Sequence, residues 1–147
     1  MSQEQQELRS LVEQFEALKN YIGELQARLQ VVLNELEEVR LSRSTLAQLR
    51  EADNKSILVA LDRRGHALVY AQIADKEHVV LALGGDLYAR IPIERAIQVL
   101  TEREREIARA AGDIESEIKK VANLYNEVSK KLQQALTQKE GQGQNQQ

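Results

Sequence analysis

Apolar residues fall at Leu8, Leu11, Phe15, Leu18, Ile22, Leu25, Leu29, Val32, Leu36, Val39 and Leu46, spaced alternately by three and four, with Arg43 as the polar member of the series. A stripe that repeats every 3.5 residues without drift winds two helices around each other instead of facing a broad core. The spacing predicts a coiled-coil helix over 2–52, with Ser2 and Gln5 as a capping box at its start. A second series predicts a second coiled-coil helix over 92–138: Ile93, Ile97, Leu100, Glu104, Ile107, Ala111, Ile114, Ile118, Val121, Tyr125, Val128, Leu132 and Ala135. Glu104 is its charged member. Pro92 suits the first turn of that helix, where a missing N–H costs nothing, and holds Ile91 extended.

The stretch from Leu8 to Leu46 is as long as that from Ile97 to Ala135, about 57 Å each at 1.5 Å per residue. Equal arms predict that the chain folds back on itself, with Leu46 level with Ile97, Leu8 level with Ala135, and both termini at one tip. Arg43 then lies level with Leu100 and about one turn, some 6 Å, from Glu104. The two either pair across the seam, fixing register more than adding stability, or snorkel separately to water.

Between the helices the heptad stops and four short apolar runs follow, 57–61, 67–73, 78–83 and 87–91. They are rich in Val, Ile, Leu and Tyr, and Asp62-Arg63-Arg64-Gly65, Ala74-Asp75-Lys76-Glu77 and Gly84-Gly85-Asp86 between them have turn chemistry. Two β-hairpins over 57–91 are expected. The fold class is therefore mainly α with a small β part, a long antiparallel two-helix coiled coil joined by two β-hairpins in a single domain of 1–147. The runs Ile57-Leu58-Val59-Ala60-Leu61 and Val79-Val80-Leu81-Ala82-Leu83 are apolar on both faces, which four strands cannot cover themselves. Such faces and edges invite another chain. Ile57, Val59, Leu61, Leu68, Tyr70, Val79, Leu81, Leu83, Leu87 and Ile91 are accordingly assigned to subunit assembly. Residues 139–147, with Gly and Gln at Gly141 to Gln147, are expected to be a disordered tail.

Composition removes several functions. A net charge of −3 attracts neither nucleic-acid phosphates nor an anionic membrane, so neither is an expected partner. There is no Cys, hence no disulfide, thiolate metal site or cysteine nucleophile, which suits a reducing cytoplasm. The N-terminus lacks a basic segment followed by an apolar stretch, and no run approaches the roughly 20 apolar residues of a membrane span. His66 and His78 have no second ligand at metal spacing and read as surface residues. Ser56, Asp62 and His66 share one hairpin without a nucleophile elbow or an oxyanion hole. Gly84-Gly85-Asp86 opens no helix and is a turn, not a phosphate loop. No enzyme, cofactor or metal is expected.

What remains able to act is the strand block and the coiled-coil tip. There Leu8, Leu11, Val12 and Phe15 face Val128, Leu132, Ala135 and Leu136 near two helix ends. Helix ends fray, and each opened turn shows apolar side chains at little cost, a surface suited to weak, sequence-tolerant binding of apolar segments.

The layout of helix, two hairpins and helix resembles the archaeal prefoldin α subunit over nearly the whole chain. The strand block ending Gly84-Gly85-Asp86-Leu87-Tyr88-Ala89 and the helix start Pro92-Ile93-Glu94-Arg95-Ala96-Ile97-Gln98-Val99-Leu100 carry the likeness. Two hairpins point to the α type and not the β type. Where the family usually has a Gly-rich first turn, this chain has Asp62-Arg63-Arg64-Gly65-His66. The resemblance implies a hexamer of two α with four β-type subunits built on the hairpins. Unfolded client proteins would be held at the tips without nucleotide and passed to a group II chaperonin. The rival reading is a structural coiled-coil spacer or filament former without client binding.

Overall fold

The computed structural model describes residues 2–51 and 56–144. The element order is α1 (Gln3–Glu51), β1 (Ile57–Ala60), β2 (Leu68–Ala71), β3 (His78–Gly84), β4 (Leu87–Pro92) and α2 (Ile93–Gln144). Two long helices with two small antiparallel hairpins between them in the chain are the expected fold class. The chain divides into two compact units, Met1–Asn34 with Ala108–Gln147, and Glu35–Ile107.

In the first unit, segments of α1 and α2 run antiparallel. Phe15 stacks on Tyr125 with ring centroids 4.7 Å apart, while Tyr21, further along α1, donates its hydroxyl hydrogen to Glu117, further back along α2. Leu25, Ala111 and Val121 are buried here. All three belong to the heptad series, so burial follows the 3.5-residue stripe. Ser2 Oγ accepts from the Gln5 amide at 3.3 Å, which caps α1 as the opening residues predict.

The second unit adds the strands to a shorter stretch of paired helix. Its buried residues are Leu36, Leu81, Ile93, Ala96 and Leu100. Ala96 lies outside the heptad series yet is 0% exposed. It flanks the seam residues Ile93, Ile97 and Leu100, so the buried stripe of α2 is wider in this unit. Each hairpin is its own two-stranded sheet. In the first, Ile57 pairs with Ala71 and Ala60 with Leu68; in the second, His78 pairs with Pro92 and Leu81 with Ala89.

Turn chemistry explains the connections. Asp62 Oδ1 accepts from the amides of Arg64 at 2.8 Å and His66 at 3.2 Å, and Gly65 takes φ +72°, so the Asp-Arg-Arg-Gly turn is closed by its own carboxylate. In the second hairpin Gly85 has φ +58° and Asp86 has negative φ, the pattern of a two-residue turn with glycine first. A bulge between Ala82 and Gly84 precedes it.

Several boundaries differ from expectation. β1 and β2 are shorter than 57–61 and 67–73: Leu61 and Ala67 belong to the turn, although Leu61 N still donates to Ala67 O at 3.0 Å, and at the far end the pairing stops at Ile57 with Ala71. Pro92 closes β4 instead of opening the helix; it is paired with His78 on a sheet edge, where a missing N–H is tolerated. Ile93 N then donates to Glu77 O at 2.9 Å, and α2 begins there. Finally, α2 continues through Gln144, so 139–144 are helical and not a disordered tail. Gln138, Lys139 and Glu140 are good helix formers, and a Gly costs a helix only about 1 kcal/mol, too little to end one already propagating. Residues 145–147 and the expected helix end at Ala52 lie outside the described residues.

Candidate functional site

Two apolar surfaces stand out, one in each unit. In the first unit, Leu8, Leu11, Phe15, Val128 and Leu132 are half-buried in the helix pair, and Val12 and Leu136 are exposed. A depression of about 370 Å³ is lined by Ser2, Leu8, Leu11, Ala135 and Lys139. The seam residues are thus shared between the two helices, while Val12 and Leu136 already offer methyl groups to solvent. Ser10 and Gln14 are the polar neighbours there, and Arg9 pairs with Glu13 on the exposed side. The chemistry available is apolar contact with a polar margin.

In the second unit the strands present two different faces. Antiparallel partners share a face, so Leu58, Tyr70, Ala60 and Leu68 form one side of the first hairpin and Ile57, Ala71, Val59 and Val69 the other. All are exposed except Ile57 and Ala71, which are half-buried, and Tyr70 is 80% exposed. In the second hairpin Val79, Leu81, Ala89 and Ile91 turn inward, and Val80, Ala82, Tyr88 and Arg90 turn outward. Leu61, Leu83 and Leu87 are exposed near the turns.

Of the residues expected to serve assembly, Leu81 is the most buried. It is 8% exposed and part of the subunit's own core, because the strand alternates and its inner face meets the same chain. Val79 and Ile91 share that face and are half-buried. Leu58, Val80 and Tyr88 on the outer faces, and Val69 on the opposite side of the first hairpin, are exposed as well, which the unbroken apolar runs concealed. A run without alternation gives no sign of which side is outer.

Charged groups of this unit are tied to its frame. Glu104 accepts from Arg43 Nε at 2.7 Å through Oε2 and from Arg40 Nε at 2.9 Å through Oε1. Hydrogen bonds from Arg40 and then Arg43 hold the Glu104 carboxyl below its ordinary value. Arg43 pairs with Glu104 across the helices instead of snorkelling away. Arg40 is a second partner that sequence reasoning missed, although it directly follows the seam residue Val39. Asp75 takes the Arg90 guanidinium on Oδ2 and the amides of Glu77 and His78 on Oδ1, and the Arg90 bond chiefly drives its carboxyl far below the usual range. Asp62 is likewise lowered, first by the His66 amide. Each aspartate supports a turn.

Among the described residues no group of His, Asp and Glu is placed to hold a metal, and no helix is long and apolar enough to cross a membrane. His66 and His78 sit beside the turn aspartates Asp62 and Asp75, at 3.3 and 3.5 Å.

Comparison with known proteins gives a consistent result. A family model described as "Prefoldin subunit" matches residues 18–138. The chain is 33% identical over 123 residues to the prefoldin subunit alpha of Saccharolobus solfataricus, covering 82% of each chain. It is 30% identical over 136 residues to the one of Sulfurisphaera tokodaii, covering 92% of this chain and 88% of that one. Among solved structures, filamentous PFD from Methanocaldococcus jannaschii has a TM-score of 0.53 at 21% identity, covering 84% of this chain and 96% of that chain, a likeness of fold.

Proposed function

The chain belongs to the prefoldin family, among its α subunits, and on that premise we propose that it assembles through its hairpins with β-type subunits and holds unfolded proteins at its helix ends. Members of this family are chaperone subunits and not enzymes. The observation that carries the assembly half is the outward apolar face of both hairpins, with Leu58, Leu68, Tyr70, Val80 and Tyr88 open to solvent in the free subunit. Surface of this kind marks interfaces, and two-stranded sheets standing alone are marginal in water and gain from added strands. The stoichiometry we propose is two α with four β-type subunits.

Client capture rests on Leu8, Leu11, Val12, Phe15, Val128, Leu132 and Leu136. Val12 and Leu136 offer the first contact, and fraying of the helix ends adds the seam residues. Each contact is weak. Several subunits acting together raise the effective concentration, and avidity then exceeds a single contact by orders of magnitude. The bound chain would pass to a group II chaperonin in the cytoplasm without nucleotide.

The experiment is deletion of residues 1–14 together with 129–147. The shortened chain should still assemble with its β-type partner and lose most suppression of aggregation of a denatured client. Full protection by the truncated complex would refute capture at the tip. The fold likeness to filamentous PFD keeps one rival in view, a filament or spacer without clients. Native mass measurement separates the two, since a closed complex forming only with a partner supports the chaperone and long polymers of this chain alone support the spacer.

A further inference from the structure

Leu41 stands where the helix pair has no use for it. The seam runs through Leu36, Val39 and Arg43, which leaves Leu41 on the outer side of α1, 68% exposed. Across from it is Val80, 67% exposed on the outer face of β3. Between α1 and β3 lies a groove of about 650 Å³, lined by these two and by Leu46, Leu49 and Val79 among others. Glu35 and Glu38 also line it, and Arg103, its cation, donates to the Ala82 carbonyl at 2.6 Å. The groove is apolar within and acidic at its margin.

We propose that this groove is part of the assembly surface and receives an extended apolar segment, flanked by a basic residue, from a neighbouring β-type subunit. The inference rests on the assembly reading above and deepens it by extending the interface from strands to helix α1. Three observations support that occupant. Val80 belongs both to the groove and to the outward sheet face with Ala82 and Tyr88, so the two surfaces are continuous. Among the described residues β3 is paired with β4 alone, and the side of a strand left unpaired is a template for an added one. Glu35 and Glu38 favour Lys or Arg beside the apolar segment.

The test compares Leu41→Gln and Val80→Gln with Val31→Gln. Val31 is 66% exposed, also off the seam of α1, and lies in the other unit, which makes it a matched control. Leucine and glutamine have similar helix propensity, so Leu41→Gln leaves the helix intact, and melting curves of the isolated chains verify this. Titration of each variant with a β-type prefoldin subunit should show Leu41→Gln and Val80→Gln binding at least tenfold more weakly than the wild type, and Val31→Gln within twofold. Wild-type affinity in Leu41→Gln would overturn the groove alone, whereas failure of the wild type to bind the β-type subunit would overturn the assembly reading and the groove with it. Two other results would also refute the occupant named. Loss of self-association with unchanged β-type binding would mean a second copy of this chain, and intact assembly with lost client protection would mean a client segment.

Discussion

Leu25 is 3% exposed in the first unit, while Val31, six positions on, is almost open, and the contrast sets what each can cost when truncated. Leu25→Ala removes a side chain from a filled seam and is expected to destabilise the chain by about 2–5 kcal/mol, lost transfer energy plus cavity. Val31→Ala should stay within about 0.5 kcal/mol. Thermal melts of the two variants followed by circular dichroism check the difference, and equal melting temperatures would contradict the packing described. Ala96, fully buried, makes the opposite test. Ala96→Leu adds volume to a closed site and should cost about 1–3 kcal/mol. The heptad made Leu25 legible in advance because seam spacing dictates burial. It could not reveal Ala96, which stands beside the seam positions and not on them.

At the level of elements, the helices were readable and the strands only in outline. Seam residues recur at fixed spacing over α1 and α2, so position and direction follow from a count. Strand ends instead depend on which group closes each turn, and Asp62 and Asp75 decide this through their carboxylates. The inner and outer sides of β3 were hidden, and the burial of Leu81 with them, since every residue from Val79 to Leu83 is apolar. The candidate tip was legible as a set of seam residues, but the greater exposure of Val12 and Leu136 depends on packing. Replacing Tyr70 and Leu87 with Ser should weaken association with a β-type subunit tenfold or more and leave helix content unchanged. Gel filtration with circular dichroism would show it, and undiminished association would remove the hairpins from the interface.

For the molecule as a whole, acid should be the sensitive direction. Glu104, Asp75 and Asp62 all have carboxyls held below their ordinary values of 4.5 for Glu and 3.8 for Asp. A lowered folded value means that the unfolded chain binds protons first as pH falls. The stabilisation is therefore complete above about pH 5 and is lost progressively as pH drops through 4.5 and 3.8 toward the folded values. Melting temperature should be level from pH 6 to 8 and decline below pH 4.5. Arg40→Gln with Arg43→Gln should lower the plateau at neutral pH and flatten part of that decline, because Glu104 then titrates nearer its ordinary value. An unchanged acid limb in the double variant would show that Glu104 contributes nothing to it.

The junction of β4 with α2 has a mechanical consequence. Pro92 ends the strand, Ile93 begins the helix, and Ile93 N is already bonded to Glu77 O just before β3, so no slack separates sheet from helix. Torque applied to the second hairpin cannot dissipate in a loop and must turn the opening of α2 about its own axis. A neighbour that grips the strands thereby takes hold of a crank, and the angle at which it docks sets how the first turns of that helix are presented.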